Sequence, residues 1–379
     1  MSTPDVLARD AYQAAFAALQ ERLPGFSDAR STAAAALDFP VRRSEAWRFT
    51  QARNLLQTTY TPRGQALGPL PEGVLSLDEL PASVAQHLLS VAPTTGFAGL
   101  NAAFFTEVAG LHSAAGTSRQ VELTLTHREL SVPRVLVVAE AGSSLELLVR
   151  HDVLDGLAVP VIEIVAHPTS RVSLTHVVHD RGGHFAGVVA GSLTGSTVAL
   201  QSVFSRASDG IARLDVAVDL GEGSRFDSSG LVLGRGRSHT DHHLAIAHSG
   251  HRAVSTQQFR NILDERSRAV FTGEVHVQRG VTGSDATQSA NTLLLSDDAS
   301  AVARPWLVID NDDVKAAHGA TVGRIDPDAL FYLRARGIGA LEAQRLLTGA
   351  FAGEVVETVP EAFREAVRAV VDAYLEGAA

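Results

Sequence analysis

Four segments of the chain align with one another at nearly constant spacing: "GSSLELLV" (142–149), "TSRVSLTH" (169–176), "GSTVALQS" (195–202) and "GSRFDSSG" (223–230). Their serines fall at 143, 170, 196 and 224, so the intervals are 27, 26 and 28, and Gly250, 27 after Gly223, extends the series. Each copy opens on a small turn residue and then alternates, with Leu145/Leu147, Val172/Leu174, Val198/Leu200 and Phe226/Ser228 in matching places. Alternation at period 2 describes a strand with one face in a core. A strand–turn unit repeated at such a period cannot bury that face alone and must stack on its neighbours, which is a solenoid. The expected fold is therefore mainly β, a parallel β-helix (β-solenoid). The strand–turn units of a sandwich are the alternative, and the steadiness of the spacing counts against it.

The flanks have a different texture. Residues 4–23 carry Val6, Leu7, Tyr12, Phe16, Leu19 and Leu23 near helical spacing, with Pro24 as the stop. A second helix is expected over 28–38, and one short helix at 82–90 within a Pro- and Gly-rich connecting stretch from about 58 to 95. From 118, strand-like segments follow without an intervening helix: "QVELTLTHR", "PRVLVVAEAG", "SLELLVRH", "PVIEIVAH", "RVSLTHVVHD" and "STVALQSVF". At Asp326, an expected N-cap with Pro327 behind it, the pattern turns helical again: "PDALFYLRAR" up to Gly337, then "ALEAQRLLTGAFAGEVVETV", then a helix started by Pro360. The reading is 1–117 as an N-terminal helical region and connecting segment, 118–324 as β-helix core, and 325–379 as a C-terminal helical domain. The first two C-terminal helices have wide apolar faces (Leu330, Phe331, Leu333; Leu346, Leu347, Phe351, Val355). Most of this is expected to be buried internally, and a surplus suggests docking.

Charge and residue usage narrow the chemistry. A net charge of −10 with no basic cluster argues against nucleic acid as a partner. The N-terminus lacks the layout of a signal peptide, and no apolar run reaches the length of a membrane span; Glu163 breaks "LAVPVIEIVAH". A cytoplasmic protein without membrane attachment is expected. There is no cysteine, so this chain supplies neither a thiolate nucleophile nor a thiolate cluster ligand. Lys315 is the only lysine, and no phosphate-cradling Gly-rich loop ending in lysine surrounds it. The glycines of "GRGRSHTDHH" lack the strand-to-helix context of a dinucleotide site. His239, Asp241 and His243 would share one strand face as a metal facet, although solvent-facing polar positions explain them better. His176 and His179 fall on opposite faces of a strand and cannot chelate together. His318 is a candidate ligand or acid–base group, against the plainer reading of a histidine closing a turn before Gly319. A β-helical carbohydrate-active enzyme is a second class to consider. Such enzymes line a groove with aromatic platforms and carboxylates, whereas this chain has 2 Trp and 4 Tyr.

Three long stretches, "QQFRNILDERSRAVFTGEVHV", "SDATQSANTLLLSDDA" and "DDVKAAHGATVGRIDPDALFYLRARGI", resemble the SufB/SufD family of iron–sulfur cluster assembly proteins. Weaker echoes lie in "SEAWRFTQARNLL" and "FAGLNAAFF". The motif "DDVKxxHGATVG" and the absence of cysteine make the chain most similar to the SufD branch. The resemblance implies a non-catalytic scaffold subunit of a SufBCD complex. It would pair with a SufB-type paralogue through the β-helix and bind a SufC-type ABC ATPase through the C-terminal helices. It also implies that His318 matches a histidine at the SufB interface, a candidate iron or cluster ligand. No cofactor is expected to be held stably by this chain alone, and a nascent iron–sulfur cluster would be shared with SufB. Lys315, Phe331, Tyr332, Arg334, Arg336, Leu346 and Phe351 are the expected partner-binding residues. Many relatives carry Cys-Ser before this histidine, and Ala316-Ala317 stand there here. Acidic neighbours Asp310, Asp312 and Asp313 would raise local affinity for iron cations or keep His318 more easily protonated.

Overall fold

A computed structural model describes residues 4–23, 25–39, 44–58, 60–62 and 66–377; Pro24, the expected helix stop, lies outside them. Its centre is a parallel β-helix of two facing sheets, one of eight strands and one of ten. Every pairing between the named strands is parallel. The four aligned sequence copies stack in register: Leu145 on Val172, Val198 and Phe226, and Leu147 on Leu174, Leu200 and Ser228. Their serines are all buried, and Ser170, Ser196 and Ser224 donate to the backbone carbonyls of His167, Ala166 and Leu193. The small residue opening each copy is a left-handed turn position, at Gly142, Thr169, Gly195 and Gly223. Gly250 does not continue that series. The left-handed position at the matching corner of the next coil is Arg252, and Arg225 pairs with Val254, a longer step along the chain than the earlier coils take. The coils lengthen there because extra residues enter the corners, while the strands stay ten residues long.

The solenoid begins earlier than the sequence suggests. Val108–Ser113 is already a strand of the ten-stranded sheet, paired with Arg134–Ala139. It is short, carries Gly110, and follows directly on the apolar helix Gly96–Phe104, so no alternation marks it. Ahead of it, the expected helices appear as Pro4–Leu19, Ser27–Ala35 and a single turn, Ala82–Ala85. The N-terminal helices pack on the outside of the ten-stranded sheet. After the solenoid come Pro327–Ala335, capped by the Asp326 carboxylate accepting from Asp328 N at 2.9 Å, then Ala340–Val356 and Glu361–Glu376. The last two lie against the outer face of the eight-stranded sheet, on Leu148, Val177, Val203, Leu231, Leu233 and Ile262.

Inside the solenoid the apolar columns give way to a file of rings. His127 stacks on His151 at 5.1 Å, His151 lies tilted against His176 at 4.6 Å, and His242 stands between Phe204 (4.9 Å) and Phe259 (5.0 Å). Ser131 Oγ lies 2.8 Å from His127 Nδ1, His127 Nε2 lies 2.9 Å from His151 Nδ1, and Ser202 Oγ lies 3.0 Å from His242 Nε2. Burial pushes His127, His176 and His242 down to about 3, and His151 well below its ordinary range, so the rings are held neutral. Gly230 makes room for this file. A Cβ there would meet ring carbons of Phe259 at 2.2 and 2.3 Å. Gly230→Ala is expected to cost about 1–3 kcal/mol through overpacking. Chemical denaturation checks this, and an unchanged midpoint would show that the ring is free to move.

Candidate functional site

The two ends of the solenoid differ. At the first coil, residues 66–80 fold back across the sheet edges. Thr126 N donates to Ala66 O at 3.0 Å, Leu75 and Gly110 exchange backbone bonds at 2.9 and 2.7 Å, and Ala66 and Val74 join the solenoid core. At the last coil nothing comparable is found among the described residues. Val314–Gly323 pairs only with Ser284–Leu294, and Ser300–Ile309 only with Arg268–Val277. Each therefore leaves a row of backbone donors and acceptors free. Nine of the ten residues of Val314–Gly323 are exposed, whereas the central strand Thr197–Arg206 is almost wholly buried. Trp306, Ile309 and Val322 are exposed there, at 44%, 37% and 50%. A long free edge with apolar side chains is a template for pairing with another chain.

His318 lies in the middle of this edge strand rather than at a turn, directly over Gln288 of the preceding coil. Successive residues of a strand face opposite sides, so His318 belongs to the lumen-facing set and Lys315, three positions earlier, to the outward set. Lys315 lies over Asp285. The lone lysine and the histidine are thus not a pair. Asp310 is engaged with His276, 3.7 Å from its Nε2.

The other expected partner residues separate into two groups. Phe331 (73% exposed), Tyr332, Arg334, Arg336 and Leu346 all reach solvent, with the Arg336 guanidinium 4.5 Å from the Tyr332 ring centroid. Phe351 instead packs toward the sheet, with Arg260 over its ring at 5.5 Å. The exposed group leads to a groove between Ala340–Val356 and Glu361–Glu376, flanked by Arg345, Leu346, Arg368 and Asp372.

The "HTDHH" facet is not solvent-facing. Asp241 is 1% exposed, and its Oδ2 accepts from Arg213 Nη1 at 2.6 Å and from Thr50 Oγ1 at 2.5 Å. His239 Nε2 lies 2.8 Å from Thr50 Oγ1, and His243 Nδ1 lies 3.2 Å from Asp215, which Arg213 also holds. Arg213 donates to Ala46 O and covers the Trp47 ring at 4.1 Å. Burial alone would raise Asp215, but the Arg213 guanidinium and His243 together draw its carboxylate well below the usual range. The facet is a latch that fastens residues 46–50 to the solenoid. The local sequence does not reveal this burial, because the N-terminal segment that covers the facet lies at the far end of the chain. No group of three or more His, Asp or Glu able to hold a metal occurs among the described residues. No helix among them is long and apolar enough to cross a membrane.

Comparison with known proteins places this architecture. The family model described as SUF system FeS cluster assembly, SufBD core domain, matches residues 123–351. The chain is 35% identical to the iron-sulfur cluster assembly protein SufD of Bacillus subtilis over 140 residues, 37% of this chain and 32% of that protein. It is 35% identical to SufD of Escherichia coli over 160 residues, 42% of this chain and 38% of that protein. An iron-sulfur cluster assembly SufBD family protein of Mycobacterium tuberculosis is 27% identical over 371 residues, 90% of each chain. The chain thus matches only about a third of the length of the two SufD proteins, but nine-tenths of the mycobacterial one.

Proposed function

The chain belongs to the SUF-system iron–sulfur cluster assembly family defined by the SufBD core domain, and from that membership we propose that it is a SufD-type, non-catalytic scaffold subunit of a SufBCD assembly complex. The observation that carries the reading is the contrast between the solenoid's covered first coil and its bare last coil, where His318 is exposed on an unpaired edge. A SufB-type paralogue, itself a β-helix, supplies the complementary edge. Backbone pairing along Val314–Gly323 and burial of Trp306, Ile309 and Val322 then hold the two together. The nascent cluster is cargo at this junction. His318 offers an imidazole nitrogen, and because this chain has no cysteine, thiolates come from the partner.

The SufC-type ABC ATPase docks on the exposed helical surface around Phe331, Tyr332, Arg334, Arg336 and Leu346. Its movement has a material route inward. Arg260, in the strand Val254–Leu263, is ion-paired with Glu354, and Ser229 Oγ lies 2.7 Å from Thr358 Oγ1. Two coils further on, Thr321 Oγ1 is 2.9 Å from the Asn291 side chain in the edge strand's neighbour. The long outer faces, on which a polysaccharide would have to lie, are covered over much of their length by the protein's own helices. That removes support from the carbohydrate-active alternative.

Capture of the chain from native cytoplasm is expected to recover an ABC-type ATPase together with a cysteine-bearing paralogue; recovery of neither rejects the scaffold reading. His318→Ala, at an exposed position, is expected to change stability by no more than about 0.5 kcal/mol while abolishing cluster assembly by the reconstituted complex. Unimpaired assembly by that variant would take His318 out of the mechanism.

A further inference from the structure

One lumenal column of the solenoid turns polar as it nears the open end. Leu200, Ser228, Gln257, Gln288 and His318 lie over one another in successive coils. Ser228, Gln257 and Gln288 are buried, at 3%, 1% and 1% exposure. Gln288 Nε2 donates to Gln257 Oε1 at 3.1 Å, in the preceding coil, and to Gly273 O at 3.0 Å, across the lumen. Both amide hydrogens are then committed, and two acceptors on one side fix which end of the amide is nitrogen. Gly273 is what admits the arrangement, since a Cβ there would lie 2.7 Å from Gln288 Nε2 and 2.8 Å from Gln257 Oε1.

Gln288 Oε1 is left buried without a hydrogen-bond partner. With its nitrogen turned back toward the preceding coil and across the lumen, its oxygen is the acceptor the column offers to the coil that follows. The residue in register there is His318. We propose that Gln288 is the positioning residue of His318: no bond joins them in this structure, and a turn of the ring about its own side-chain torsions lets Oε1 accept the N–H of one imidazole nitrogen, so that the other nitrogen presents its lone pair outward at the partner-facing edge. A neutral imidazole has one donor and one acceptor, so holding the donor selects the tautomer and orients the ring. A histidine that ligates a metal commonly donates its second ring N–H to a carbonyl in this way. The proposal rests on the reading of His318 as the working residue of the junction, and it assigns Gln257 and Gly273 the task of holding the amide.

The test uses the full chain with nitrogen-labelled histidine, in the absence of any metal or partner. One ring N–H of His318 is expected to be protected from exchange with water. Gln288→Met, which keeps the length and removes the carbonyl, is expected to shift the tautomer ratio roughly fivefold and abolish the protection. Gln288→Glu keeps an oxygen but sets it against two acceptors, Gln257 Oε1 and Gly273 O, and is expected to lose the protection as well. A wild-type ring N–H that exchanges at the rate of a free imidazole overturns the proposal without recourse to any variant, as does an unchanged ratio in a folded Gln288→Met chain. If His318→Ala stops assembly while Gln288→Met leaves the ring unaltered, this inference falls and the scaffold reading stands. A constrained ring with assembly unimpaired by His318→Ala upholds the Gln288–His318 bond and takes His318 out of the mechanism.

Discussion

Acidification from pH 6.5 toward pH 3 is expected to unfold the solenoid cooperatively, well before its carboxylates are all protonated. The cause is the internal file of His127, His151, His176 and His242, which burial keeps neutral, three of them down to about 3 against an ordinary value of 6.5. Below pH 6.5 the unfolded chain takes up protons at these rings and the folded chain does not. Stability therefore falls as pH falls, by about 1.4 kcal/mol per pH unit for each ring, until the folded rings themselves titrate. Four such rings acting together would consume the roughly 5–15 kcal/mol that holds a typical fold within two or three pH units. Circular dichroism against pH reads the midpoint. His242→Phe, placed between Phe204 and Phe259, should flatten the slope. A midpoint and slope unmoved by removal of that ring would place the acid sensitivity elsewhere.

The second large effect concerns Glu163. Its carboxylate is 1% exposed and accepts from Arg134 Nη1 at 2.5 Å and from the backbone N–H groups of Leu89, Val91 and Ala92 at 3.0, 3.2 and 3.1 Å. Arg134 is fully buried, is bonded also to Asn101 at 2.7 Å, and lies over the Phe105 ring. Glu163→Gln removes the charge that compensates Arg134 and turns an amide N–H₂ toward donors. A broken buried pair of this kind costs about 3–5 kcal/mol, because one charge is left unpaired in a dry site. The loss should be local at first, freeing residues 89–92 from the sheet. Their amide hydrogen exchange should accelerate by about two to three and a half decades. Exchange within tenfold of wild type would mean that water reaches Arg134 readily.

The fold was readable because solenoid stacking repeats one physical demand every coil. The alternation at 145/147, 172/174, 198/200 and 226/228 could be checked against itself without knowing any contact. Which face of a strand is lumen and which is solvent was less readable wherever the lumen is polar. Period 2 separates the faces without naming them, and His176 and His242 look hydrophilic until neighbouring coils enclose them. Glu163 illustrates the same limit. In sequence it interrupts an apolar run; in space it is what three backbone amides and a buried arginine converge on. His318 stands out in the sequence as a residue type and through the family motif. Its place on an unpaired edge, and the amide column beneath it, depend on pairings one whole coil apart that no local pattern contains.

The asymmetry between the two ends of the solenoid also sets how large an assembly can grow. A rod adhesive at both tips would add copies head to tail into a filament. Here residues 66–80 close one tip, so a mate bound at the other leaves no tip on this chain for a third. Pairing through the open edge would therefore end at two chains rather than run on into a fibre.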